Sequence, residues 1–386
     1  MARKIGVGMI GAGFMGKTHS NAYYKVARFF KVDAEPEMRV LCALPEAAVK
    51  AFAQQWCWKE WSTDYREVVK RDDLELIDVN TPNNLHAEVS IAALEAGKNV
   101  ICEKPLAMNV KECKAMVAAA KKSGKKNMVS FNYRRVPAVG LAKKMIEDGK
   151  IGKVFHIRSS YLQDWIMDPK FPRVWRLVKA ITGSGAHGDL NAHIIDLARY
   201  LVGDFEEVVG HAETFITERP LMEESIGLTG KAGKKTGKVD VDDAVVFIAR
   251  MKGGAIGTFE ATRFAGGRRN QNQFEINGDK GTLVWQLERM NELQYFSREE
   301  SSETQGFRTI IVTQPEHPYM QAWWPAGHIV GYEHSFINEI YDLIQALANN
   351  KPITPTFEDG LRCQEVLDAV LKSAEERRWV KVSEMK

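Results

Sequence analysis

The stretch GMIGAGFMG, residues 8–16, places Gly11, Gly13 and Gly16 in the spacing G-x-G-x-x-G, between an apolar run at 5–10 and a helical pattern at 14–30. In that setting each glycine has a mechanical reason. Gly11 permits a tight turn after a strand, and Gly13 lets the backbone approach a pyrophosphate. Gly16 lets the following helix pack closely on the strand, and the first helical amides face the phosphates. A glycine-rich turn without a ligand shares the pattern, so the strand before it and the helix after it carry the reading of a dinucleotide site.

Outward from this turn, strand and helix patterns alternate through residue 130. Apolar runs at 38–44 and 74–80 precede a helical segment, HAEVSIAALEAGK, that stops at Gly97. NVICE then reads as a strand, and Asn109 caps the helix VKECKAMVAAAKKS, which stops at Gly124. This alternation predicts an α/β fold, a doubly wound parallel Rossmann sheet covered on both faces, for residues 1–130. Residues 131–386 change character. A helix opens at Pro137 and another covers the segment ending before Gly203, followed by strand-like runs between 206 and 313 and two closing helices near 331–349 and 360–377. Turns at Gly253-Gly254 and NGDKG (277–281) read as hairpins. This half is expected to be an α+β domain with a large open, mostly antiparallel sheet. The lysine- and glycine-rich GLTGKAGKKTGKVD (227–240) fails the phosphate-loop spacing in every register and reads as a solvated connection.

Composition limits the function. A net charge of +3 on 386 residues argues against nucleic acid as a partner, and no apolar run has the ~18–20 residues that a membrane span needs. Five dispersed cysteines without a C-x-x-C pair point to a reducing compartment, and the expected location is cytoplasmic. NAD is the expected cofactor, with NADP not excluded, because the acidic residue that normally ends the second strand of an NAD site is absent. That strand ends Ala43-Leu44-Pro45, while Asp33, Glu35 and Glu37 lie at its other end.

Two further stretches are more specific. TPNNLHAEVSIAALEAGKNVICEKPLA (81–107) and GSGAHGDLNAHIID (183–196), taken with the glycine turn, closely resemble the Gfo/Idh/MocA oxidoreductases over essentially the whole chain. FNYRRVPAVGLAKK, YLQDW, VDVDD, EATR and GFRT are similar to the branch containing levoglucosan dehydrogenase and glucoside 3-dehydrogenases. The resemblance implies an NAD-dependent sugar dehydrogenase that oxidises a secondary hydroxyl, at carbon 3 of a pyranose, anhydrosugar or glucoside. It also implies a homodimer or homotetramer assembled through the second domain's sheet.

In this resemblance the EKP lysine is Lys104, and Asp189 and His193 occupy the two catalytic positions of D-x-G-x-H, whose middle glycine is here Asn191. Alcohol oxidation needs a base for the hydroxyl proton, which suits His193. Lys104 can hydrogen-bond the same oxygen, and Asp189 can orient substrate and histidine. The cofactor set implied is Gly11, Gly13, Phe14, Met15, Gly16, Thr81, Pro82, Asn83, His86, Glu103 and Lys104. The substrate set is Tyr133, Gln163, Trp165, Arg176, Asp189 and His193, with Arg134 and Asp164 as further polar candidates. On a helix, Asp189, His193 and Asp196 share one face, and with His187 they could in principle hold zinc. Hydride transfer assisted by a lysine needs no Lewis acid, so no metal is expected, and Asp196 reads as a helix anchor. Two other functions stay open: an NAD-dependent glycosidase working by transient oxidation, and a non-catalytic NAD- or sugar-binding regulator.

Overall fold

The first apolar run forms β1 (Arg3–Ile10), and α1 (Phe14–Phe29) follows the glycine turn directly. The alternation continues through β2 (Ala34–Cys42), α2 (Glu46–Gln55), β3 (Glu60–Ser62), α3 (Tyr65–Val69), β4 (Leu76–Val79), α4 (Asn83–Glu95), β5 (Asn99–Glu103), α5 (Val110–Ser123) and β6 (Asn127–Ser130). The six strands pair in parallel in the order β3-β2-β1-β4-β5-β6. This is the doubly wound dinucleotide-binding order, whose direction of winding reverses between β1 and β4. Residues 5–10 of β1 and all of β4 are buried, as strands covered by helices on both faces must be. Local chemistry ends the helices where the sequence suggests. Asn109 Oδ1 accepts the Glu112 amide hydrogen at 3.0 Å to cap α5, and Gly124 closes it at φ +64°.

This computed structural model describes residues 3–226 and 229–385, and its contacts gather into two compact units. The first unit is residues 3–132 together with Tyr332–Gln364, so it is not a single run of chain. The returning segment contributes α9 (Tyr332–Ala348), and the N-terminal part of α10 (Phe357–Glu376) also falls in it.

The second unit is Tyr133–Gly331 together with residues 365–385. It contains α6 (Pro137–Glu147), β7 (Val154–Leu162), α7 (Lys179–Thr182), α8 (Ala192–Leu201), β8 (Phe205–Glu213), β9 (Glu218–Ile226), β10 (Thr229–Lys238), β11 (Ala244–Met251), β12 (Ile256–Thr262), β13 (Gln271–Gly278), β14 (Gly281–Gln286), β15 (Glu292–Ser297), β16 (Arg308–Ile311) and β17 (Val380–Lys381). Nine strands make one sheet, β16-β15-β14-β13-β7-β12-β11-β8-β17, in which β7 and β12 alone pair in parallel. β11, β12, β14 and β15 alternate buried and more exposed residues, the pattern of a sheet with one covered face. Val246, Ile248 and Ile256 are about half exposed on these strands.

One expectation is corrected here. Most of the lysine-rich segment read as a loose connection is strand: β10 pairs antiparallel with β9, while residues 227 and 228 lie outside the described residues. The ladder to β9 satisfies a backbone whose glycine and lysine content gives no β signal of its own. A second correction concerns Arg134, considered above as a pocket residue. Its guanidinium grips Asp196 through Nε to Oδ2 (2.8 Å) and Nη2 to Oδ1 (2.6 Å), with the side chains 5% and 1% exposed. Asp196 thus ties α8 to the turn before α6. Because deleting one partner strands a buried charge, Asp196→Ala is expected to lower unfolding free energy by about 3–5 kcal/mol, read by urea denaturation. A loss below ~1 kcal/mol would remove the pair from the unit's stabilising contacts.

Candidate active site

In the first unit the glycine turn has the geometry its spacing predicts. Gly11 has φ +114°, and a Cβ there would collide with the Asn80 carbonyl oxygen. A Cβ on Gly16 would strike the Gly11 carbonyl oxygen. Gly13, in contrast, faces open space, with nothing within 4 Å of where its Cβ would stand, and it begins α1 without a side-chain cap. An uncapped helix start beside open space suits a phosphate group. Nearby strand ends carry two buried acceptors without partners, Asn80 Oδ1 and Thr81 Oγ1. These features fit NAD.

The remaining expected cofactor residues sit on the same turns. Phe14 is 45% exposed at the start of α1, next to half-buried Met15. Pro82 and Asn83 open α4. His86 is buried, its ring lying 2.9 Å from both the Pro105 and Thr81 carbonyl oxygens, and burial pushes its pKa below the ordinary value. It braces the TPN turn against the EKP turn. Glu103 ends β5, with Oε2 accepting the Lys104 amide hydrogen at 3.0 Å, and Lys104 itself is half-buried just beyond the strand. Past β2, Leu44 is 76% exposed where an acidic residue is usual. Asp33 is occupied by Gln345 and Asn349, and Glu37 by Lys59 and Arg39.

In the second unit the segment bearing Asp189 and His193 departs from a plain α-helix. His187–Asn191 is a turn of π-helix leading into α8. Asp242 anchors its start, Oδ1 accepting the Gly185 amide and Oδ2 the His187 amide (2.8 and 2.6 Å). His187 is fully buried with both ring nitrogens engaged, Nε2 at the Leu367 carbonyl and Nδ1 at Asn191 Nδ2; burial lowers its pKa. That bond supplies a structural reason for asparagine at 191. The three polar residues expected on one face diverge. Asp189 Oδ2 pairs with Arg263 Nη2 at 2.6 Å, His193 lies beside the Tyr133 and Tyr161 rings (centroids 4.6 and 5.7 Å), and Asp196 turns to Arg134. The wider π turn shifts Asp189 out of the register with His193 that a plain α-helix would give.

Around His193 the second unit assembles a connected polar and aromatic wall. Trp165 Nε1 donates to Gln163 Oε1 (2.8 Å), and Gln163 Nε2 donates to Asn270 Oδ1 (2.9 Å). Tyr161 donates to the same Asn270 oxygen (2.7 Å), and the Tyr133 hydroxyl lies 2.8 Å from that of Tyr161. Arg263 stands over the Trp165 ring at 5.3 Å. Tyr133, Gln163, Trp165, Asp189 and His193 thus come together, whereas Arg176 lies on a short 3-10 turn, stacked on Trp175. Asp164 turns to Arg269 and the Gly267 amide. Sequence reasoning passed over Tyr161, Arg263 and Asn270. The first two stood inside YLQDW and EATR, and nothing local marks Asn270. Among the described residues no group of three or more His, Cys, Asp or Glu side chains is arranged to hold a metal ion, and no helix is long and apolar enough to cross a membrane.

Comparison with known proteins defines the class. Residues 5–131 match the oxidoreductase family's NAD-binding Rossmann fold and residues 139–284 the GFO/IDH/MocA C-terminal domain. The chain belongs to the Gfo/Idh/MocA family and is an oxidoreductase with an NAD-binding domain. Among individual relatives, levoglucosan dehydrogenase of Pseudarthrobacter phenanthrenivorans is 44% identical across 99% of each chain. The crystal structure of an oxidoreductase domain protein from Kribbella flavida has 49% identity and a TM-score of 0.94, covering 99% of this chain and 100% of that one. Levoglucosan dehydrogenase in complex with NADH and levoglucosan has 43% identity and a TM-score of 0.93, covering 98% and 100%.

The glycines separate fold from binding. Gly13→Ala, whose methyl group enters open space, is expected to leave the melting temperature within about 2 °C while weakening NADH binding by about tenfold or more, read by fluorescence titration. Gly16→Ala collides with backbone and is expected to lower the melting temperature. Equal melting losses in both would contradict this division.

Proposed function

We propose that this oxidoreductase is an NAD-dependent sugar dehydrogenase that oxidises a secondary hydroxyl, at carbon 3, of levoglucosan or a related pyranose or glucoside. The observation that carries the reading is full-length similarity to levoglucosan dehydrogenase, including a relative solved with NADH and levoglucosan. The second unit's wall of Tyr133, Gln163, Trp165 and Asp189 supports it, since a sugar ring needs convergent polar groups beside flat apolar faces.

When bound, NAD supplies the acceptor for the hydride that leaves the carbinol carbon. This chain's residues manage the proton and the orientation. His193 takes the hydroxyl proton, and Lys104 donates a hydrogen bond to the same oxygen as its charge develops. Asp189, kept in place by Arg263, orients the sugar through its neighbouring hydroxyls. Gln163 and Trp165 select the ring, while Arg176, stacked on Trp175, stays outside this group. The half-exposed Val246, Ile248 and Ile256 support assembly as a homodimer or homotetramer, which light scattering would read.

Purified protein with NAD and a panel of levoglucosan, glucose and glucosides tests the reading, by NADH absorbance and chromatography of products. Accumulating NADH with a keto-sugar product is expected. Cleavage of a glucoside without net NADH would indicate the transient-oxidation glycosidase instead, and NAD binding without turnover of any member would indicate a regulator. His193→Ala is expected to cut kcat by about 10²–10⁴-fold with NADH affinity nearly intact. Near-normal turnover in that variant would dismiss His193 as the base.

A further inference from the structure

The first unit buries more charge at the ends of its strands than the proposed chemistry uses. His19, three residues beyond Gly16 on α1, is fully buried. Its Nδ1 lies 2.8 Å from Asp78 Oδ2 on β4, and its Nε2 lies 3.1 Å from Glu103 Oε1 at the end of β5. Both neighbours are acceptors, so the ring serves as a double donor and is protonated. Burial works against that charge, yet the field of Asp78 and the hydrogen bonds to Asp78 and Glu103 outweigh it and hold the pKa well above the ordinary value. The other groups facing this cluster are Tyr23 of α1, Glu339 of α9 and Ser130 of β6. Ser130 Oγ donates to Glu339 Oε2 at 2.6 Å, and the Phe336 ring covers the imidazole at 5.5 Å.

Each carboxylate on the imidazolium uses its second oxygen elsewhere. Asp78 Oδ1 accepts from Asn80 Nδ2 at 2.7 Å, and the Asn80 carbonyl is the atom that leaves no room for a side chain at Gly11. Glu103 Oε2 accepts the Lys104 amide hydrogen at 3.0 Å. One ring therefore joins the turn that presents the glycines to the backbone that presents Lys104.

We propose that His19 is a positioning residue for Lys104: by bridging Asp78 and Glu103 it fixes the end of β5 and the direction from which the lysine side chain departs. This rests on the reading of Lys104 as a group that acts on the substrate hydroxyl. Without the ring, two buried carboxylates on adjacent strands face each other as like charges. One must take a proton or turn away, and Glu103 loses the orientation that holds the Lys104 amide. Misplacing a reacting group by about 1 Å costs as much as ~10²-fold in rate.

The full chain with His19→Asn, His19→Gln and Lys104→Met tests this, with NAD and levoglucosan as probes. The asparagine amide reaches the position of Nδ1 and keeps only the Asp78 bond, whereas the glutamine amide reaches the position of Nε2 and keeps the Glu103 bond. Both variants are expected to melt cooperatively and to bind NADH within about threefold of the parent. His19→Asn should lower kcat by about 10–100-fold with the sugar KM little changed, and His19→Gln should recover it to within about fivefold. Equal losses in the two variants, no loss in His19→Asn, or NADH affinity falling in step with kcat would overturn the proposal. Unimpaired turnover in Lys104→Met would instead defeat the role given to the lysine. Independently of turnover, NMR of the reductively 13C-methylated protein follows the Lys104 signal, assigned by its absence in Lys104→Met. It should move in His19→Asn and return in His19→Gln, and an unmoved signal in His19→Asn overturns the proposal whatever the sugar.

Discussion

The first unit is organised by one steric constraint, the approach of backbone to backbone at Gly11 and Gly16. The Gly11 amide donates to the Cys42 carbonyl oxygen at 2.8 Å, while a side chain on Gly11 would collide with the Asn80 carbonyl and one on Gly16 with the Gly11 carbonyl. The turn is thereby clamped among the ends of β2, β4 and α1. No side chain fits at either glycine, so the strand order and the helix start cannot be separated. Gly13 escapes the clamp and faces open space, a geometry that suits the approach of a phosphate group.

Around that frame, buried charge is matched at short range. Asp78 and Glu103 share the His19 imidazolium, Asp196 is gripped by Arg134, and Asp189 by Arg263. An ionised group in an apolar interior survives when a partner and hydrogen bonds compensate its lost hydration. Of these anions, Asp189 is the accessible one, its side chain 30% exposed beside an arginine that is 1% exposed. The Asp196 pair is sealed and structural. Neighbouring acids on one short segment thus acquire different roles from their partners and exposure, although their chemistry is the same.

How much of this was legible in the sequence differs between the two units. In the first, buried strands read as apolar runs and helices end at Gly97 and Gly124. The signals are local, and β1, α1, β2, β4, α4, β5 and α5 follow from them, whereas α2, α3 and β6 were not singled out. The short β3, with two of its three residues exposed, leaves no such trace. In the second unit alternating strands and hairpin turns were readable, but β10 was not, because its ladder to β9 replaces intrinsic propensity. The π turn at His187–Asn191 was also hidden, since residue spacing cannot distinguish it from an α-helix.

The sequence by itself determined the dinucleotide turn, the parallel frame, and the family motifs that single out Lys104, Asp189 and His193. Those features lie within short windows where spacing and residue type are enough. Tertiary structure alone decided the partners: Arg263 meets Asp189 across 74 residues, and His19 meets Asp78 across 59 and Glu103 across 84. Adjacent strands in a sheet need not be adjacent in the chain, so the environment of a buried charge is fixed by pairing order, which no local pattern encodes.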